Sequence, residues 1–320
     1  VLVIGAGLAG CHQAAALARR GLQVTVVDQA GVAQGGSGNT QGVLYTRLSR
    51  RHSSLVDFGV QSFAHAAHHY RRLFAAGVLV AGRDGELCGS FHQRPDDDEL
   101  RSIAAVVREL PRLARVLGAG EASEVLGIEQ PAAGIWYPLS GWLHPGAVCN
   151  ALLASHDIQL LTGHGPITLE PTGTGWRATG ETGLVIEGDC AVVAAGTGTG
   201  VLPGLDWLRL QPIRGQTSDI PSTPALQRLR AVLCHEGYIA PARRGIHCIG
   251  ATFNLTGEMA DLDAAEHRRN LDALRTAVPA WTDELSNLDT RELQGRVGFR
   301  CASTDYLPLV GPAPAKDAFM

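Results

Sequence analysis

Three glycines at the Gly-x-Gly-x-x-Gly spacing, Gly5, Gly7 and Gly10, follow four apolar residues at the start of the chain. Glycine at the first position permits a tight turn, and at the second lets a pyrophosphate approach the main chain. At the third it lets a helix pack close to the strand. The helix predicted over residues 8–20 would aim its N-terminal amides and dipole at the same phosphates. Asp28 closes a second predicted strand, residues 23–27, where a carboxylate takes a ribose hydroxyl. Strand, triad, helix, strand and acid in register predict a dinucleotide site lined by Gly5, Ala6, Gly7, Leu8, Ala9, Gly10, Asp28 and Gln29. Near the other end, Arg300 stands between apolar strand residues. A guanidinium so placed needs an anion, and its fork suits a carboxylate.

The elements that must position these groups can be read in order. Residues 30–42 form a polar, Gly-rich loop in which Gly36, Ser37, Gly38, Asn39, Thr40, Gln41 and Gly42 could lie along phosphate and ribityl oxygens. Residues 48–76 read as one or two helices outside the sheet. His65, His68 and His69 on it lack a third ligand or a neighbouring glutamate, so a solvated face is expected rather than a metal site. Residues 78–91 alternate like a strand pair turning at Asp84-Gly85. The acidic run 96–99 is expected to cap a helix over 99–110. Residues 135–145 read as strand, turn and strand, followed by a helix over 146–155 and a strand over 158–161. A β-meander over 167–187 leads into a buried strand, 190–195, beside the first. Ala195 and Gly196 then let the chain pass the cofactor. From residue 210 the character changes: a strand over 211–221 leaves the nucleotide domain, further short strands (232–238, 239–241, 247–252) read as an antiparallel sheet, and a helix over 261–278 precedes a strand, polar loop and apolar turn over 293–311.

The bulk numbers bound the function. The chain has 320 residues, 45% hydrophobic and 18% charged, enough for two domains. No apolar run reaches the roughly 18 residues of a membrane span, and no membrane partner is expected. A formal net charge of -4 argues against backbone-driven nucleic-acid binding but leaves room for local patches. Seven cysteines without a C-x-x-C pair are expected to be mostly small buried hydrophobes in a reducing compartment, and no metal is expected. The chain begins at Val1, on a predicted core strand, and is expected to be a piece of a longer protein.

Several separated motifs resemble the D-amino-acid oxidase-like, or glycine-oxidase-like, flavoprotein family. They are GAGLAG, the Ser-Gly-Asn loop, VVAAG, IRGQ, GYIAPA and GFRCASTDYLPLVG, in that order over nearly the whole chain. GGSGNTQGVLYTRLS, GWLHPGAVC, IRGQTSDIP and GATFN narrow the resemblance to the flavin oxidase domains of bifunctional tRNA-modification enzymes. The implied fold class is α/β, a Rossmann-like FAD-binding domain with a mostly parallel sheet and a β-meander, plus a substrate domain with a largely antiparallel sheet and flanking helices. The implied division is 1–83, 144–212 and 295–320 for FAD, and 84–143 and 213–294 for substrate.

The resemblance implies FAD rather than NAD and oxidation at a C–N bond. In such enzymes the carboxymethyl group is removed from a 5-carboxymethylaminomethyl uridine at the tRNA wobble position, leaving an aminomethyl uridine and glyoxylate. It implies that Arg300 anchors the substrate carboxylate, that the Tyr238 hydroxyl donates to it, and that Ser303, Thr304, Asp305 and Leu307 lie by the flavin ring. Arg214 faces either the substrate or the domain junction. Cys301 is expected to be an ordinary buried thiol rather than a covalent flavin attachment. The implied setting is cytoplasmic, with tRNA as partner, a methyltransferase domain fused upstream, and a Gly-rich loop and helix beyond Met320. Arg47, Arg50, Arg51, Arg243, Arg244, Arg268 and Arg269 are candidates for an RNA-facing patch. Two other functions compete: a small-molecule oxidase of glycine, sarcosine or a D-amino acid, and a flavin-binding scaffold without chemistry.

Overall fold

Strands with apolar side chains on both faces need cover on both sides, and the first two strands are of that kind. In a computed structural model that describes residues 1–51, 53–94, 96–202, 204–257 and 259–313, they receive it. The chain opens with β1 (Leu2–Ile4), α1 (Leu8–Ala18) and β2 (Val24–Asp28). Next come β3 (Gly42–Leu44), α2 (Ser54–Ala75), β4 (Gly85–Glu86), β5 (Ser90–Gln93), α3 (Asp97–Glu109), β6 (Arg115–Leu117) and α4 (Ala119–Leu126). Then follow β7 (Gly134–Tyr137), β8 (Gly141–Leu143), α5 (Pro145–Leu152) and β9 (Ile158–Thr162). The meander β10 (Ile167–Pro171), β11 (Trp176–Gly180) and β12 (Val185–Gly188) leads into β13 (Ala191–Val193). The remainder is β14 (Gln211–Pro221), β15 (Val232–Cys234), β16 (Tyr238–Ile239), β17 (Ile246–Gly250), α6 (Ala264–Ala277), α7 (Thr282–Ser286) and β18 (Gln294–Ala302).

β13, β1, β2 and β9 form a four-stranded parallel sheet in that order. Its alternation splits cleanly. Val3 and Val26 pack with α1 and α5, while Leu2, Ile4 and Val27 pack under the meander against Leu169 and Ala178. α1 comes close to α5 because its buried stripe is small: Cys11, Ala14, Ala15 and Ala18. The strand over 190–195, expected to be buried, is a half-exposed edge of this sheet, with Cys190 exposed.

The second layer is an eight-stranded sheet, β18-β14-β17-β16-β15-β5-β7-β6. Residues directly opposite one another share a face. Phe91, Ile220, Leu233, Ile239 and Ile249 point to one side and join Leu271 and Leu274 of α6 in the largest core. The register sends Asp219, Cys248, Tyr238, Cys234 and His92 to the other side, and the loop 34–42 lies over it at β14, β17 and β18. Residues 295–302, grouped with the FAD-binding part on sequence, pair with β14 along the length of β18.

The acidic run caps a helix as expected, and two further caps form elsewhere. Asp96 accepts from the amides of Asp98 (2.8 Å) and Glu99 (3.1 Å) to start α3, and Ser53 and Asp263 cap α2 and α6. The strand pair expected over 78–91 is not a hairpin. The Asp84 carboxylate takes the Val80 amide and the Arg83 guanidinium, winding 80–84 into a turn, and β4 pairs with β8 instead. β7 and β8, expected as one strand-turn-strand, separate into different sheets. β6 and α4 carry no strong periodic signal in the sequence.

Candidate active site

The glycine turn is built as its residues dictate. Gly5 has φ +110°, a region that L side chains rarely adopt, and any Cβ there would strike the Ala194 carbonyl at the end of β13. A Cβ on Gly10 would strike the Gly5 carbonyl, so α1 sits directly on the turn. Asp28 ties the site together by accepting from Ala6 N (2.8 Å), Ala30 N (2.9 Å) and Gly31 N (3.0 Å). The same carboxylate therefore shapes the turn, besides any ribose it could hold.

The loop 30–42 folds over this turn. Ser37 Oγ accepts from Leu8 N at 3.0 Å, supplying the cap that Gly7 cannot give α1. β18 closes on the loop from the other side. Gly36 lies against the Phe299 carbonyl, and Gly38 lies against the Arg296 guanidinium. Arg296 Nη2 donates to Gln34 O (2.7 Å) and Gly35 O (2.5 Å), while its Nη1 is buried without a partner. Burial lowers its pKa, yet an arginine stays cationic. No acidic side chain pairs with it among the described residues. Residues 196–201, which begin at Gly196, also pack against β18.

Arg300 projects from the same strand. Its Nη1 donates to the Thr252 carbonyl at 3.2 Å, and its guanidinium stands 5.5 Å from the centre of the Phe253 ring. Gly215, two residues along β14 from Ile213 opposite it, leaves the room that the guanidinium fills. Partial desolvation pulls the Arg300 pKa down, while Tyr238 and Tyr45 nearby oppose the shift. Arg300, Tyr238, Tyr45 and Phe253 thus define a cationic, aromatic recess.

Tyr238 sits in that recess, but its hydroxyl donates to the Gln41 carbonyl at 2.8 Å and lies 3.4 Å from Cys248 Sγ. Burial raises its pKa well above the ordinary tyrosine value, so it remains a neutral phenol. Gln41 is spent inside the protein: it is 1% exposed, and its amide spans Pro241 O (2.9 Å) and Cys248 N (3.2 Å). Expected against the cofactor, its side chain instead stitches the loop to β16 and β17. Thr40 Oγ1 points to Asp219, 3.5 Å away, whose carboxyl burial pushes upward.

Other sequence expectations land differently. Arg214 does not face the recess. It is 3% exposed and ion-paired with Glu266, and it donates to Met259 O and Asp261 O (both 2.7 Å), locking α6 to the far face of β14. The turn 303–307 is bonded to itself, with Ser303 Oγ donating to Leu307 O at 2.7 Å and Leu307 N to Asp305 at 3.0 Å; Thr304, Asp305 and Tyr306 are exposed, while Ser303 and Leu307 are half-buried. Ala9 and Gln29 are exposed, whereas Asn39 is half-buried. Cys301, expected as a buried thiol, is exposed, as is Cys190, while Cys11, Cys149 and Cys248 are buried. His65 and His69 stack, and no group of three metal-binding side chains occurs among the described residues. Arg268 and Arg269 are exposed on α6, which packs on the face of the sheet away from the recess.

Two residues that sequence reasoning passed over belong here, Arg296 and Tyr45. The signal for Arg296 was available: it lies four residues before Arg300, hence on the same strand face. Tyr45 follows the glycine loop and carried no motif of its own.

The arrangement fits a dinucleotide. The N-terminus of α1, Gly7 with the Ser37 hydroxyl against it, and the unpartnered Arg296 nitrogen converge on one loop, and together they call for an anion such as the diphosphate of FAD. Comparisons with known proteins agree. The profile of the FAD dependent oxidoreductase family, DAO, matches residues 1–320. The chain is 40% identical over 318 residues to the tRNA 5-methylaminomethyl-2-thiouridine biosynthesis bifunctional protein MnmC of Stutzerimonas stutzeri, covering 97% of this chain and 47% of that protein. The corresponding protein of Chromobacterium violaceum is 37% identical, over 100% of this chain and 48% of its own length. The chain thus spans about half the length of the curated relatives it matches. Among solved structures, glycine oxidase from Geobacillus kaustophilus superposes with a TM-score of 0.79 at 20% identity, covering 99% of this chain and 86% of that one. Iminodiacetate oxidase from Chelativorans sp. BNC1 gives 0.75 at 21% identity, covering 95% and 84%. With glycine turn, covering loop and parallel sheet in place, the chain belongs to the DAO family of FAD-dependent oxidoreductases.

Proposed function

We propose that this protein removes the carboxymethyl group from 5-carboxymethylaminomethyl(-2-thio)uridine at the tRNA wobble position, giving the 5-aminomethyl uridine and glyoxylate. The observation that carries the reading is Arg300. Among the described residues its guanidinium makes one hydrogen bond, to Thr252 O, leaving four of five N–H donors for a carboxylate in an aromatic recess. The MnmC relatives, named for tRNA 5-methylaminomethyl-2-thiouridine biosynthesis, suggest the substrate class.

FAD, when bound, supplies the two-electron oxidation of the C–N bond. Gly5, Gly7, the N-terminus of α1, Asp28, Ser37 and Arg296 would hold it. Arg300 grips the carboxylate of the –NH–CH2–COO⁻ group and fixes the methylene. With its proton on the Gln41 carbonyl, the Tyr238 oxygen keeps acceptor capacity for the substrate N–H. Tyr45 and Phe253 restrict water around the reacting carbon. Two electrons and a proton leave the substrate, and water adds across the resulting C=N bond. The products are a primary amine and an aldehyde acid, so atoms and charge balance.

Residues 1–83, 144–212 and 295–320 form the FAD-binding domain in this reading, and residues 84–143 and 213–294 the substrate domain. Ala195, Gly196 and the 303–307 turn keep their roles beside the ring. We further infer a fused methyltransferase domain that takes the amine product, and a cytoplasmic setting set by tRNA. No described helix is long and apolar enough to cross a membrane.

The test is anaerobic mixing of the flavin-loaded protein with the free modified nucleoside, sarcosine or glycine. Bleaching of the flavin by the nucleoside at rates far above those for the amino acids is expected. Equal or faster bleaching by sarcosine or glycine would instead identify a small-molecule amine oxidase, and no bleaching with any of them a scaffold.

A further inference from the structure

Helix α3 buries Leu100, Ile103 and Val107 against Ile135 and Tyr137, on the same face of the large sheet as Tyr238 and His92. Arg101, Ala104 and Arg108 recur along its adjoining stripe at i, i+3 and i+7. Glu109 follows Arg108 directly and therefore projects about 100° round the helix from it. Arg108 and Arg115 line, with Val107, Pro111 and Ala114, a cavity of about 690 Å³; Arg115 stands opposite Trp136 on the edge strand β6, so it belongs to the other face of the sheet and meets the cavity at that edge. Arg101 is ion-paired with Asp98 at 2.5 Å. Arg108 and Arg115 are exposed and have no ion pair or side-chain hydrogen bond among the described residues.

A phosphodiester chain matches this combination. Guanidinium groups fork onto phosphate oxygens and stack on bases, and an apolar floor accepts the face of a base or ribose. Because the whole chain carries a formal charge of -4, long-range attraction for RNA is absent and contact must come from local cations. The setting also fits. Tyr45, beside Arg300, lies 5.5 Å from the His92 ring, and Arg47 and Arg94 stand near enough to His92 to disfavour its protonation. Arg94 is ion-paired with Glu99 at 3.5 Å, so Arg47 is the cation of this pair without a carboxylate partner among the described residues, between the recess and α3. Arg300 and Arg115 lie on opposite edge strands of an eight-stranded sheet. At about 4.8 Å per strand they are separated by roughly 34 Å, comparable to one turn of a duplex.

We propose that the cavity between α3 and β6, through Arg108 and Arg115, holds the phosphate backbone of the substrate RNA at a distance from the modified base. This rests on the tRNA reading above. It makes the anticodon stem, not the reacting nucleotide, the ligand of the cavity.

The experiment compares the flavin-loaded protein with its Arg108→Glu/Arg115→Glu variant, using a fluorescent anticodon stem-loop RNA and the free modified nucleoside. Both positions are exposed, so the fold tolerates the change. We expect stem-loop affinity to fall about tenfold or more and the slope of log affinity against log salt to shrink by about two. Turnover of the free nucleoside should not change. Wild-type stem-loop affinity and salt slope in the variant would overturn the surface and leave the oxidase reading intact. Failure of the unmutated protein to bind the stem-loop would overturn both. Loss of nucleoside turnover in the variant, or displacement of the stem-loop by a free mononucleotide at the concentrations that saturate the RNA, would overturn assignment of the cavity to RNA backbone.

Discussion

Replacing Arg300 by alanine separates substrate anchoring from cofactor binding. The side chain makes one hydrogen bond to the protein, at 3.2 Å to Thr252 O, and packs 5.5 Å from the centre of Phe253, so its removal disturbs little of the fold. It makes no described hydrogen bond to loop 30–42 or the glycine turn, and the flavin colour should remain. Arg300 is exposed in this structure, and what is lost is a forked bond to a carboxylate that the bound substrate and flavin would cover. Truncating one partner of such a pair costs about 2–5 kcal/mol. At 1.36 kcal/mol per tenfold, kcat/KM for the modified nucleoside should fall by roughly 30- to 5,000-fold. Because the carboxylate is held in ground and transition states alike, much of the loss should fall on KM. Arg300→Lys restores charge without the fork and should recover only part of the loss. Steady-state kinetics with flavin content measured on the same samples reads both effects. An unchanged kcat/KM, or a fall matched by equal loss of flavin, would refute the anchoring argument.

Arg296→Met should weaken FAD retention by about tenfold or more, because it removes the buried cation and strands the Gln34 and Gly35 carbonyls; titration of the apoprotein with FAD measures it, and normal affinity would contradict the role. Arg214→Leu leaves Glu266 buried without a cation and should cost about 3–5 kcal/mol in denaturant unfolding, with Arg214→Leu/Glu266→Leu regaining much of it. Burial holds the His92 pKa at about 3 against an ordinary 6.5, so the unfolded chain takes up its proton first. Stability should fall as pH drops from about 6.5 toward 3, by up to roughly 5 kcal/mol at 1.36 kcal/mol per pH unit. His92→Gln should flatten that part of the unfolding-against-pH curve, and an identical slope in the variant would contradict it.

The parallel sheet was legible because its strands obey local rules. Val1–Ile4 is apolar without a break, the glycine triad follows, and Asp28 stands where the second strand ends. The meander and β14 were legible for the same reason, whereas the strand expected over 232–238 breaks into β15 and the start of β16, which pair with each other across a turn. Long-range choices were not. Nothing in residues 135–145 says that β7 and β8 belong to different sheets, since each is a short apolar run and the partner decides. Residues 78–84 alternate like a strand, yet one Asp84 carboxylate taking the Val80 amide is enough to wind them into a turn. In the site, Arg300 could be read because an arginine among apolar neighbours demands an anion. Gln41 misled for the converse reason: an amide in a glycine loop can serve a ligand or the protein, and only tertiary contact with Pro241 and Cys248 decides.

The central claim concerns one bond, between the wobble uridine's side-chain nitrogen and its carboxymethyl carbon. The flavin-loaded protein should be incubated with tRNA carrying 5-carboxymethylaminomethyl uridine, and the digested nucleosides weighed by mass spectrometry while glyoxylate is trapped. The account predicts conversion to the 5-aminomethyl nucleoside with one glyoxylate for each uridine converted. Modified tRNA recovered unchanged, from protein whose flavin is bleached by sarcosine in the same buffer, would contradict it.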